Sequence, residues 1–130
     1  MNVLVVDDDV AIRTLVTRVF KRRGDTVQSA VDGDAAIECL KHNRFDLVVL
    51  DLMMPRTDGF GVLSYLSTLD GSRPQIIVMT AAVPGLVDKV PSDIVVGVLG
   101  KPFELQTLVS LAEKAFPMSP PPPRPAETSP

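Results

Sequence analysis

The run Asp46-Leu-Val-Val-Leu-Asp51 narrows the architectures open to this chain more than any other stretch. Asp46 to Leu50 reads as a buried strand, apolar and β-branched at its centre, of the kind that is covered on both faces in a parallel sheet. It ends on a carboxylate, Asp51, followed by Leu-Met-Met-Pro55. In open α/β sheets ligands bind beyond the carboxyl ends of the strands. An acid at that point therefore has a chemical reading beside the plain one of a residue that starts a turn.

The remaining segments supply the sheet. Val3 to Val6 is a second β-branched run, ending in Asp7-Asp8-Asp9. From Val10 the period becomes helical, with Val10, Leu15, Val16, Val19 and Phe20 on one face and Ile12 nearby. Asp9 suits the N-cap, Lys21-Arg22-Arg23 the last turn, and Gly24 the stop. Thr26 to Val31 reads as a weak strand. Asp34 is placed to cap a second helix carrying Ala35, Ala36, Ile37 and Leu40. Asp58-Gly59 opens a third, with Phe60, Leu63 and Leu66 inward. Gln75 to Thr80 and Ile94 to Leu99 are further strands, and Leu105, Leu108, Leu111, Ala112 and Ala115 mark a final helix. Strands alternating with helices predict an α/β fold, a doubly wound five-stranded parallel sheet in the flavodoxin-like order 2-1-3-4-5.

That topology brings Asp7, Asp8, Asp51, Thr80 and Lys101 to one edge of the sheet although they are far apart in sequence. Three carboxylates at close range repel, and at least one pKa rises unless a cation compensates. Magnesium is the natural cation, because it takes oxygen ligands and keeps waters; manganese is the alternative. Asp8 and Asp51 are the direct ligands in this reading, Asp7 holds a metal-bound water, and the Met53 backbone carbonyl is a further candidate. A carboxylate is also a nucleophile that can form an aspartyl-phosphate. The Lys101 ammonium and the Thr80 hydroxyl then stabilise charge on the transferring phosphoryl group.

These residues carry a family resemblance. Leu4-Val-Val-Asp-Asp8, Leu50-Asp51-Leu-Met-Met-Pro55, Asp58-Gly59, Thr80-Ala81 and Lys101-Pro102-Phe103 together resemble the receiver domain of two-component response regulators over residues 1 to about 116. The resemblance implies that Asp51 is the phosphoacceptor, Asp7 and Asp8 the acidic pair, Thr80 the switch hydroxyl and Lys101 a phosphoryl contact. It also implies a cis peptide before Pro102, a histidine kinase or histidine phosphotransfer protein as partner, and an output partner or fused output domain. Two features depart from the family pattern. Many receivers carry Tyr or Phe three residues before the lysine, where this chain has Val98. The segment from Ala81 to Asp93 contains Pro84, Gly85 and Pro91, so the fourth helix is expected to be short or irregular. Without an aromatic to swing, that segment is the one expected to rearrange.

The other candidates read more plainly. His42 is a solvated residue at a helix end, Cys39 a packing residue, and Lys21-Arg22-Arg23 too short for a nucleic-acid patch. No Gly-rich phosphate loop is present. A net charge of −3 suggests no nucleic acid through this domain. A single cysteine excludes an internal disulfide, and no apolar run reaches transmembrane length, so the cytoplasm is the expected compartment. Residues 1–116 read as the receiver domain. Residues 117–130, with seven prolines in 14 positions, read as a disordered tail or linker. Two alternatives stand beside the phosphoaccepting receiver, which is not an enzyme in the turnover sense. One is a pseudo-receiver acting as a binding module with little switching. The other, a magnesium-dependent phosphatase with an Asp nucleophile, usually has a second acid two residues on, where this chain has Met53.

Overall fold

Five strands and four helices alternate along the described part of the chain: β1 (Asn2–Val6), α1 (Val10–Arg22), β2 (Thr26–Ala30), α2 (Gly33–His42), β3 (Leu47–Asp51), α3 (Gly59–Ser67), β4 (Gln75–Ala81), β5 (Val95–Lys101) and α4 (Leu105–Ala115). The structure is a computed structural model that describes residues 1–54, 58–69, 71, 73–81, 90 and 93–115. The strands form one parallel sheet in the order β2-β1-β3-β4-β5, as the alternation predicts.

The unbroken apolar runs in β1 and β3 are explained by burial on both faces. Leu4, Val6, Val48 and Leu50 enter a core with Ala36 of α2 and Val62, Leu63 and Leu66 of α3. Val3, Val5, Leu47 and Val49 enter a second core with Val16 and Phe20 of α1 and Leu108 and Ala112 of α4. Successive strand residues point to opposite faces, so a strand covered twice has no polar position left except its ends. The acids are at those ends for that reason. The edge strands differ: β2 is largely exposed, and β5 alternates.

Local chemistry sets the helix boundaries. The Asp9 carboxylate accepts from the Ala11 and Ile12 N–H groups and caps α1, and Gly24 at φ +91° ends it. The buried stripe of α1 differs from the sequence expectation. Val16 and Phe20 are buried and Ile12 packs with them, whereas Val10 and Leu15 are 64% and 44% exposed. Counting back from Val16 at 100° per residue keeps Ile12 on the stripe and turns the other two off it. The α2 cap is also corrected. It is Asp32, in extended conformation with its side chain accepting from Ala35 N–H, not Asp34, which lies inside the first turn where its charge complements the helix dipole. On α3, Val62 is buried and Phe60 only half-buried. β3 runs from Leu47 to Asp51, leaving Asp46 outside it, and β5 runs to Lys101. Both functional side chains are therefore strand residues. The expected irregular fourth helix and the Pro-rich tail lie outside the described residues.

Candidate functional site

The parallel register places the polar strand ends together. Asp51 pairs with Met79 of β4, and Thr80 and Ala81 pair with Gly100 and Lys101 of β5. β1 pairs Val6 with Leu50, so Asp7 follows directly beside Asp51. Asp7, Asp51 and Thr80 are buried, and Asp8 is exposed at the mouth. One carboxylate oxygen from each of Asp7, Asp8 and Asp51 lies within 4.8 Å of the other two.

Asp7 is held from every side. Its N–H donates to the Ala30 carbonyl at 3.2 Å, and its Oδ1 accepts from the Asp9 N–H at 2.9 Å. Its Oδ2 accepts from Lys101 Nζ at 2.9 Å, and its carbonyl accepts from Arg13 Nη1 at 2.8 Å. Lys101 Nζ also lies 3.2 Å from Asp51 Oδ2, so one ammonium bridges both buried carboxylates. Asp51 Oδ1 accepts from the Met53 N–H at 3.1 Å.

These neighbours set the protonation of the site. Burial pushes the Asp51 carboxyl up and repulsion from Asp7 adds to it; the Met53 N–H and Lys101 oppose this, leaving it at about 6 against an ordinary 3.8. Burial works against the Lys101 ammonium, but its hydrogen bond to Asp7 and the attraction of both carboxylates hold its pKa above the ordinary 10.5. Two buried carboxylates thus share one cation, with a third at the mouth. This all-oxygen, charge-deficient set fits a hard divalent cation such as magnesium.

Of the residues singled out in the sequence, Asp7, Asp8, Asp51 and Lys101 come together. The Lys101–Pro102 peptide is cis. Thr80 is on the same edge, but its hydroxyl donates to the Ala81 carbonyl at 3.0 Å rather than to Asp51. The Met53 side chain is 54% exposed and Val98 is 37% exposed. His42 is exposed and pairs with Glu38 at 3.0 Å; Cys39 packs against the α2–α3 core.

Two residues escaped the sequence reading. Arg13 fixes the Asp7 carbonyl, and nothing in an arginine on a helix face announces that. Gly59 reads as a helix start, yet its deeper role is space: a Cβ there would collide with the Asp51 carbonyl oxygen and the Leu52 Cα. Its N–H donates to the Leu52 carbonyl at 3.1 Å. The helix start thus rests directly on the end of the strand that carries Asp51.

Comparison with known proteins gives one consistent answer. The family model for the response regulator receiver domain matches residues 3–113. Response regulator MprA of Mycobacterium sp. (strain KMS) is 39% identical over 117 residues, covering 85% of this chain and 48% of that protein. The chain thus spans about half the length of that relative. Sporulation initiation phosphotransferase F of Bacillus subtilis (strain 168) is 31% identical over 120 residues, covering 90% of this chain and 94% of that one. Response regulator protein TrrA of Thermotoga maritima, solved in complex with Mg2+-BeF, superposes with a TM-score of 0.77 at 26% identity, covering 88% of this chain and 98% of that one.

Proposed function

We propose, from the premise that this chain belongs to the response regulator receiver domain family, that it accepts a phosphoryl group on Asp51. The observation that carries the assignment is the placement of Asp51: buried at the end of β3, bridged by Lys101 to Asp7 and within carboxylate reach of Asp8. The binding-module alternative is not favoured, since the acids and the lysine are assembled around the acceptor. The phosphatase reading has no support at Met53, where no second acid stands.

In this mechanism the Asp51 carboxylate attacks phosphorus, and the bond to the donor's leaving group breaks as the mixed anhydride forms. Asp51 must be ionised to attack, and with its carboxyl at about 6 it is largely so at neutral pH. Lys101, already 3.2 Å from Asp51 Oδ2, turns its donors to the phosphoryl oxygens. Thr80 exchanges the Ala81 carbonyl for the same group. Asp7, Asp8 and Asp51, with the Met53 carbonyl, would hold Mg2+ or Mn2+. When bound, that ion supplies charge neutralisation for the phosphoryl oxygens. The donor is a histidine kinase or histidine phosphotransfer protein, and the output partner belongs to the part of the pathway that the receiver addresses. Among the described residues no helix is long and apolar enough to cross a membrane.

The test is mass spectrometry after incubation with magnesium and a small phosphodonor. One hydroxylamine-labile phosphate is expected on the parent chain and none on Asp51→Asn. A labile phosphate on the Asn variant would overturn the assignment of the acceptor.

A further inference from the structure

We propose that the groove between α1 and the edge strand β2, which adjoins the acid cluster through Arg13 but holds none of its carboxylates, binds a small phosphorylated anion. The groove has a volume of about 310 Å³ and is lined by Arg13, Thr14, Thr17, Arg18, Lys21 and Ser29. Every one of these side chains can donate a hydrogen bond, three are cationic, and no carboxylate lines the space. A second cavity, of about 190 Å³ at the other end of β2, has only Arg44 as a cation and is lined otherwise by neutral residues.

The charge pattern is unusual for this chain. Its net charge is −3, yet α1 from Val10 to Arg22 carries four cations and no acid. Among the described residues Arg13, Arg18 and Lys21 form no ion pair. Thr14, Arg18 and Lys21 follow at spacings of four and three, so they share one helix face, and Thr17 is beside them. Ser29 stands two residues after Val27, which packs on the α1 side of the sheet, so it faces the same groove. Arg13 is fixed in place: its Nη1 donates to the Asp7 carbonyl, and a guanidinium has five N–H groups, so most of its donors remain.

Cations crowded together without counter-charges repel, and an anion relieves that. Guanidinium groups match phosphate oxygens bidentately, lysine adds a point charge, and hydroxyls complete the shell of a tetrahedral oxyanion. The volume is at the lower limit of the ~300–1,000 Å³ common for small-molecule sites, which suits one or two phosphoryl groups. A free phosphorylated metabolite is the source of that chemistry to which the shape commits.

The probe is inorganic pyrophosphate, added to the full 15N-labelled chain in magnesium-free buffer at constant ionic strength. Saturable amide shifts are expected at residues 13–21 and 29, with a Kd at or below about 1 mM. The double substitution Arg18→Gln with Lys21→Gln, at exposed positions, is expected to weaken binding about tenfold or more while magnesium binding at the acid cluster is retained. Shifts that fail to saturate, that sodium chloride reproduces, or that persist in the double variant would overturn the proposal. Sedimentation with phosphatidylglycerol vesicles in the absence of a pyrophosphate response would overturn the soluble ligand as well.

Discussion

The two ends of the sheet both gather charge, and they balance it differently. At the amino end Asp25 receives the Met1 ammonium at 3.1 Å and faces the Arg23 guanidinium at 3.7 Å, with the Arg23 and Asp25 side chains about one-tenth exposed or less. Arg23 also stacks over the Phe20 ring at 5.6 Å. There two cations meet one acid. At the carboxyl end Lys101 alone meets Asp7, Asp51 and, at the mouth, Asp8. The first cluster sets its one acid between two cations, an excess of positive charge with no place for a further cation, and serves the fold. The second is left short of positive charge, and a deficit held in place by burial and hydrogen bonds is what makes a cation site.

Removal of an acid should have opposite signs at the two ends, a loss of stability at Asp25 and a gain at Asp51. The largest effect is expected from Asp25→Asn, which strands two cations at the amino end. Urea unfolding without magnesium should show a loss of about 3 kcal/mol, the scale for removing one partner of a buried pair. Stability equal to the parent would mean that Asp25 does not hold the two cations of the amino end in the fold. Lys101→Ala comes next, at about 2 kcal/mol, below the ~3–5 kcal/mol of fully buried pairs because the lysine keeps some exposure. Unlike Asp25→Asn, this loss should be largely recovered by magnesium.

Magnesium itself should stabilise the parent chain by about 1.4 kcal/mol at tenfold excess over Kd, read as an upward shift of the thermal melt. Asp8→Ala should abolish the shift, and Asp25→Asn should leave it intact. The smallest effect is the one with pH. The folded Asp51 carboxyl titrates at about 6, above its ordinary 3.8, so the folded chain holds a proton that the unfolded chain has lost. In metal-free buffer this group's contribution is complete below about pH 4 and is lost as pH rises through 6. Asp51→Asn should remove that slope and raise stability at pH 7, by less than the roughly 3 kcal/mol that such a shift represents, because Lys101 loses one of its two carboxylates. A steeper decline in the Asn variant would place the titrating group elsewhere.

Most of the carboxyl end was legible in the sequence, because strand-end residues in a doubly wound sheet are brought together by topology alone. Asp7, Asp8, Asp51 and Lys101 needed only the strand order to converge. Helix faces were less legible. Val10 and Leu15 of α1 are as apolar as the residues that turned inward, and hydrophobicity alone does not set the rotation of a helix on a sheet. Asp32 and Asp34 compete for one cap, and the start of the helix, not the residue type, decides between them. The amino-end cluster went unread because Met1, Arg23 and Asp25 meet only when β1 and β2 pair in register. Arg13 went unread for a similar reason: its partner is a backbone carbonyl, which every residue has.

Gly59 gives the site a vulnerability that no list of reactive groups contains. Every single-nucleotide change of a glycine codon that yields another amino acid adds a Cβ, and at this position a Cβ runs into the backbone that carries Asp51. In a random screen for variants that have lost the signal, position 59 should therefore appear beside the acids and the lysine, without ever touching a phosphoryl group.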